Sequence, residues 1–357
     1  MMHRYEELIR PLDQQAMDLA RRYQNTLVKP PESLGRLEDI SVQIAGITGR
    51  VNNRIDKKIH FVLGADNGIV EEGVASAPQN FTNQLLGYYA EGKNCGINVL
   101  CQTAGVDLKV VDMGVIGSIE STNHLSYKLM EGTGNFAKGP AMPRDLAEKA
   151  IEIGISLAKY ANDEGYNIIG TGEVGIGNTS SSSACTMCLL NLPAEEAVGR
   201  GAGLTDESFA KKKDIIAKAV AMHGPYTDEI DILSKVGGLD IAGLTGLYLG
   251  AAIYRKPIVI DGFISAVAAL LAYRINPLTK EYMIPSHVSE EPGYKKIIDH
   301  MGLEPILNLK MRLGEGTGCP LAMQIVDASL NIINNMLSFD ASVLDEESYR
   351  NQLSKAD

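Results

Sequence analysis

Short β-branched runs followed by longer stretches of helical period recur along the chain, and no other feature limits its fold as tightly. IHFVLG (59–64), LKVVDM (108–113), NIIG (167–170) and PIVID (257–261) have the length and composition of buried strands, with YMIP (282–285) a weaker one. The spacing of apolar residues predicts helices near 84–101, 144–162, 179–192, 206–222, 240–253, 263–274 and 318–337. Strands separated by helices are joined by crossovers, so they lie parallel, and a parallel sheet needs helices on both faces. The first 50 and last 40 residues hold no strand run, but PLDQQAMDLARRYQNTLV, ESLGRLEDISVQIAGIT and LAMQIVDASLNIINNMLSF carry apolar residues at helical spacing. The two chain ends are expected to form a small helical domain, 1–55 with 320–357, beside an α/β domain over 56–319.

The chain has 36 glycines in 357 residues, well above the usual share of about 7%. Many fall where strands should end, which is where open parallel sheets bind ligands. GADNGIVEEGVASAPQNFTNQ follows the first strand, GTGEVGIGNTSSSS follows the third, and RLGEGTGCPLA precedes the last helix. GTGEVG (170–175) formally matches the GxGxxG dinucleotide fingerprint, but Glu173 stands where a pyrophosphate would sit and would repel it. A single phosphate suits the segment better: Asn178 and Thr179 open a helix whose free N–H groups and dipole favour an anion, and Lys212 could supply a counter-charge. The ordinary reading of the Lys run at 211–213 is a solvated helix face. Glycines such as Gly175, Gly177, Gly314 and Gly316 would let backbone approach the ligand. Glu173 and Glu315 lie between glycines with nothing to pack against; each reads either as a helix-start acid or as a general base with a pKa raised by burial.

Several classes are disfavoured. The formal charge is −11 and no Lys/Arg cluster is present, which argues against nucleic acid. The N-terminal segment lacks the apolar core of a signal peptide, so a cytoplasmic protein is expected. The longest apolar stretch, from 238 to 273, is broken by Asp240, Arg255, Lys256, Pro257 and Asp261, and reads as helix, strand and helix rather than a membrane span. Five cysteines and no secretion signal do not suggest disulfides, and Cys185 and Cys188 read as buried thiols in an apolar helix. The six histidines are scattered singly, so no metal site is expected.

KPPESLGRLEDISVQIAGITG, GADNGIVEEGV, PQNFTNQ, NFAKGPAM, GEVGIGNTS, KVGGLDIAGL, DGFISAVAALLA, SHVSEEPG and LNLKMRLGEGTGCPLA, in this order between about 29 and 337, resemble the nicotinate-nucleotide:dimethylbenzimidazole phosphoribosyltransferase family. The resemblance implies a parallel, Rossmann-like α/β sheet flanked by helices, a small helical domain from both chain ends, and a homodimer. It also implies transfer of the phosphoribosyl group of nicotinate mononucleotide to 5,6-dimethylbenzimidazole, giving α-ribazole 5′-phosphate and nicotinate without a cofactor. Glu315 falls on the family's catalytic glutamate and Glu173 on a second acid of the pocket. Gly175, Lys212 and Ser289 fall on its phosphate and ribose site, and Gln84 and Leu313 on its base pocket, with Ser76 a further match. Ala77 stands where the family commonly has an aromatic residue, which predicts a roomier pocket open to other benzimidazoles, purines or phenolics. Two other readings stay open: a nicotinamide-dinucleotide oxidoreductase resting on GTGEVG, and a non-catalytic nucleotide sensor.

Overall fold

The computed structural model describes residues 7–201, 203–347 and 349. The chain divides into two compact units, Met1–Arg10 with Lys57–Ala322 and Pro11–Asp56 with Met323–Asp357. In the larger unit the described residues form one sheet of β1 (Lys58–Ala65), β2 (Asp107–Gly114), β3 (His124–Ser126), β4 (Ile168–Val174), β5 (Ile258–Ile260) and β6 (Met283–Pro285). The spatial order is β3-β2-β1-β4-β5-β6, and every pairing is parallel. The all-parallel sheet is what the strand–helix alternation predicts, and its doubly wound, Rossmann-like order is what the family resemblance implies. The chain winds outward from β1 in one direction, then returns to wind outward from β4 in the other, leaving a crevice beyond the carboxyl ends of these two strands.

The differences from the sequence reading have local causes. β4 runs on through Val174, so Gly170 and Gly172 lie inside a strand rather than in a turn. β3 is a three-residue edge strand, His124–Ser126, without an apolar run to announce it. The helix expected over 84–101 is two, Phe81–Ala90 and Gly96–Ala104, because Gly92 between them takes φ 72°. The short helices Glu229–Val236 and Pro292–Met301 lie outside the expected set; they offer too few turns for a clear period.

Part of the glycine excess serves packing rather than loops. The helix Leu239–Ile253 is buried from Leu239 through Ala252. A Cβ on its Gly243 would lie 2.7 Å from Leu63 Cδ2 of β1, so this helix rests directly on the sheet. A Cβ on Gly246 would lie 1.9 Å from the Ile151 carbonyl, and one on Gly154 would lie 2.0 Å from the Gly243 carbonyl. The helices Arg144–Asp163 and Leu239–Ile253 thus meet backbone to backbone, which only glycine permits.

The smaller unit joins the helices Gln14–Gln24 and Arg36–Thr48 to the C-terminal part of the helix Gly318–Asn335. Ala20, Val42, Ala45 and Ile333 form its buried cluster. Val28 N donates to Leu337 O at 2.9 Å and Phe339 N to Thr26 O at 2.8 Å, so backbone from both chain ends is tied together. No helix among the described residues is long and apolar enough to cross a membrane.

Candidate active site

The crevice opens into a cleft of about 320 Å³, walled by residues 173–179, 261–264 and 312–315, by 74–77 with Phe81 and Leu85, and by Lys212, His287, Ser289 and Glu291. Its floor is made by β4. Glu173, 6% exposed, sits one residue before the strand's end, and Asn178 at the start of the helix Asn178–Leu190 turns its side chain back towards it. The Asn178 amide donates to Glu173 Oε2 and also to Asp240 Oδ2, the latter at 3.0 Å. Burial, reinforced by the neighbouring Asp240, pushes the Glu173 carboxyl up to about 8. Burial also pushes Asp240 up to about 6, against the pull of the Asn178 amide. Gly175 is required where the chain leaves β4, because a Cβ there would lie 2.2 Å from Ala65 O at the end of β1.

Glu315 occupies an unusual turn. Gly314, Glu315 and Gly316 take φ 84°, 63° and 86°, three successive left-handed residues of which only the glycines adopt this conformation without cost. The turn lies against the sheet: a Cβ on Gly172 would lie 2.5 Å from Glu315 O, and one on Gly316 would lie 2.1 Å from His60 Nε2. Asp261, which follows β5, grips the same turn, accepting from Gly316 N at 3.1 Å and from Gly318 N at 2.7 Å. The Glu315 side chain points towards the first turn of the helix Gly96–Ala104; a Cβ on Gly96 would be 3.6 Å from its Oε2. That oxygen is buried and has no hydrogen-bond partner among the described residues, and neither has the Tyr89 hydroxyl that faces it. Burial raises the Glu315 carboxyl above the ordinary carboxylate range, with Tyr89 and the Ile97 N–H favouring its charge.

Cationic groups gather elsewhere on the cleft wall. Lys212, on the helix Asp206–His223, is only 1% exposed, so the solvated reading of the Lys run fails at this position. Its ammonium donates to Thr179 Oγ1 at 3.0 Å, beside the N-terminus of the helix Asn178–Leu190. Burial pushes Lys212 down to about 8, opposed by the Glu291 carboxylate. Arg200 and Arg312 line the same cleft. His287 Nδ1 lies 3.8 Å from Asp261 Oδ1, but burial holds this imidazole at about 4, so it is neutral and no ion pair forms.

A family model described as phosphoribosyltransferase, DBI_PRT, matches residues 9–343. A nicotinate-nucleotide–dimethylbenzimidazole phosphoribosyltransferase of Clostridium acetobutylicum is 50% identical over 333 residues, 93% of this chain and 94% of that protein. Its counterpart from Acetivibrio thermocellus is 47% identical over 94% of this chain and 95% of its own length. The chain belongs to this family. Two solved structures from Thermus thermophilus, one of CobT and one of the enzyme under the same full name, share the fold with TM-scores of 0.89 and 0.87. Each is 35% identical and covers 93% of this chain and 99% of its own. Members of the family are pentosyl-transferring enzymes.

The cleft brings together Glu173, Gly175, Gly177, Asn178, Lys212, Ser289, Leu313, Gly314, Glu315 and Ser76. Gly316 is part of the Glu315 turn but does not line the cleft. Gln84 does not line this cleft: it faces an adjoining one of about 450 Å³ with Asp66, Asn83 and Tyr88, on another side of the helix Phe81–Ala90. Asp240 and Asp261 stand out in the sequence only as interruptions of the most apolar stretch. That interruption is the usable signal, since a carboxylate inside a buried run needs specific partners. Phe81 carries no such mark in the sequence. Its ring, 44% exposed, stands on the same cleft wall as Ala77, so the wall is not without an aromatic side chain.

Proposed function

We propose that this chain transfers the phosphoribosyl group of nicotinate mononucleotide to a ring nitrogen of 5,6-dimethylbenzimidazole or a closely related base, with inversion at C1′ and with Glu315 as the general base. The observation that carries this reading is the buried, unpartnered Glu315 Oε2, held in a cleft that also holds the Lys212 ammonium at a helix N-terminus. Lys212, Thr179 and the helix N-terminus would hold the 5′-phosphate. The nicotinate ring is attached as a pyridinium, so it leaves with the bonding pair of the C1′–N bond as a neutral heterocycle and needs no acid. One nitrogen of the acceptor forms the new bond to C1′ while the proton on its other nitrogen passes to Glu315. Attack on the face opposite the departing ring turns the β-linkage into α. Glu173, with its carboxyl pushed up to about 8, is mostly protonated at pH 7 and fits a hydrogen-bond donor to the ribose better than a second base. The acceptor ring would lie against Phe81, Leu85 and Leu313, and Phe81 would take the part of the aromatic absent at position 77. This favours flat bicyclic bases over a wholly open pocket.

A homodimer in the cytoplasm completes the proposal. Apolar side chains left in solvent, Leu313 on the cleft wall at 62% exposure and Leu309 four residues before it at 55%, support a surface covered by a second copy. The test of the function is incubation of the pure protein with nicotinate mononucleotide and a panel of benzimidazoles, purines and phenolics, with the riboside identified by mass and anomeric linkage. An α-N-riboside of dimethylbenzimidazole with equimolar nicotinate is expected. Tight NAD binding without nicotinate release would support the dinucleotide reading instead, although Gly170 and Gly172 lie inside β4 and Glu173 is buried against Asp240, which leaves no phosphate-binding turn there.

A further inference from the structure

The Glu315 turn poses a problem that its own residues do not solve. A glutamate at φ 63° between two left-handed glycines has no intrinsic preference for that shape, and glycines make the unfolded alternatives more numerous. The turn must be fixed from outside, and Asp261 is placed to do so. It follows β5, a strand whose every residue is buried, and is itself 2% exposed. Its carboxylate oxygens accept from backbone N–H groups on the turn, Oδ2 from Gly316 immediately after Glu315 and Oδ1 from Gly318 at the start of the following helix. These bonds run from an anchored carboxyl to both sides of the turn's exit, and they favour its charge against the burial that raises its pKa. Other contacts of the turn run to its own chain neighbours or are longer: Thr317 N and Oγ1 donate back to Gly314 O at 3.1 and 2.8 Å, Cys319 N donates to Gly316 O at 3.0 Å, and His60 Nε2 approaches Glu315 O at 3.4 Å.

We propose that Asp261 is a positioning residue for the transfer reaction: it ties the Gly314–Glu315–Gly316 turn to the end of β5 and so sets the Glu315 carboxylate against the acceptor base. Its two oxygens face the backbone of the turn, which separates its role from that of the other buried acids around the cleft. This rests on the reading of Glu315 as the base, and the two readings fail in different ways.

Asp261→Asn keeps the side chain's shape but turns an N–H₂ group towards one of the two backbone N–H groups. A displacement of the base by around 1 Å is expected to lower kcat about 100-fold. The KM for nicotinate mononucleotide should stay within about threefold, because the phosphate contacts at Lys212 are elsewhere on the wall. If Asp261 acts through Glu315, its loss adds nothing in a Glu315→Gln background, and the double variant turns over no more slowly than Glu315→Gln alone. Full kcat in Asp261→Asn overturns the positioning role, and so does a double variant in which the two losses multiply. Undiminished kcat in Glu315→Gln overturns instead the assignment of the base. Should Asp261→Asn fail to fold, hydrogen exchange on the unaltered protein decides the matter. Peptides covering 312–320 are expected to protect the Gly316 and Gly318 amides like those of a buried strand; exchange at the rate of an open loop would show that the grip is not closed in solution.

Discussion

Replacing each of the two cleft glutamates by glutamine separates their roles, and the structure sets the sizes expected. Burial and Asp240 push Glu173 up to about 8, so at pH 7 it is protonated roughly ten to one. Glutamine imitates a protonated carboxyl in shape and in its ability to donate, and Glu173→Gln should therefore lower kcat by less than about tenfold at that pH. Glu315 differs. Its Oε2 has no partner to lose and a proton to gain, and glutamine accepts no proton. The loss expected from removing a general base is about 10² to 10⁴ in kcat, or roughly 2.7 to 5.4 kcal/mol of barrier. Initial rates of nicotinate release from about pH 4.5, the ordinary value of a glutamate, to pH 9 measure both. In the unaltered enzyme kcat should rise with pH as Glu315 loses its proton, over a range above that of ordinary carboxylates because burial raises this group. Glu173→Gln should keep that limb and Glu315→Gln should lose it. Equal losses in the two variants at pH 7, or a Glu315→Gln enzyme with more than a tenth of the original kcat, would refute the division of labour.

Two further outcomes follow from the same geometry. A buried acid whose folded pKa lies above its unfolded value contributes stability that is full below the unfolded pKa and is lost as pH rises to the folded one. The thermal midpoint of Glu173→Gln should therefore gain on that of the original protein between about pH 4.5 and 8 and keep a constant difference from it above pH 8, by thermal melts in matched buffers; a difference that does not change between pH 4.5 and 8 would count against a buried, protonated Glu173. Phe81→Ala removes the exposed ring from the acceptor wall and should raise the KM for dimethylbenzimidazole roughly three- to tenfold, the worth of one aromatic contact, while that for nicotinate mononucleotide stays unchanged; equal changes in both would place Phe81 outside the acceptor site.

The strand–helix alternation made most of the fold legible because five of the six strands carry buried apolar runs, four of them inside the sheet and β6 at its edge, where sequence and burial coincide. β3 escaped because an edge strand of His, Leu and Ser carries no such run. The glycines were legible only in part. Those at 175, 177 and 314 line the cleft and Gly316 completes the turn behind it, but Gly154, Gly243 and Gly246 answer to a helix–helix and helix–sheet approach that depends on tertiary neighbours. Glu173 and Glu315 could be found from local pattern, since an acid between glycines is unusual in a short window. What could not be read is which groups surround them. Asp240 shares the Asn178 amide with Glu173, and Asp261 grips the Glu315 turn through backbone N–H groups 55 and 57 residues away in sequence. The burial of Lys212 was hidden for a related reason: Lys211 beside it is exposed, and one lysine in a run turns inward only because the helix N-terminus lies there.

The same electrostatics bear on how a protein of formal charge −11 admits an anionic nucleotide. Counted by residue type, the acids around the cleft should repel a phosphate. Desolvation moves all of them the same way, however: Glu173 goes up to about 8, Asp261 to about 7 and Asp240 to about 6, with Glu315 raised as well. Near pH 7 the cleft is therefore less negative than its composition, while Lys212, pushed down to about 8, still carries its proton. Both advantages vanish together as pH rises through 8, because Glu173 gains charge where Lys212 loses it. The kcat/KM for nicotinate mononucleotide, which reports the free enzyme, should accordingly fall above pH 8 with a limiting slope steeper than one proton and approaching about two. Lys212→Arg separates the contributions. A guanidinium stays charged throughout this range, so the alkaline slope should relax towards one while the rate near pH 7 drops through the poorer fit of a larger head group. A slope of two that survives in Lys212→Arg would mean that the second proton belongs to another group, and that Lys212 does not hold the phosphate as an ammonium.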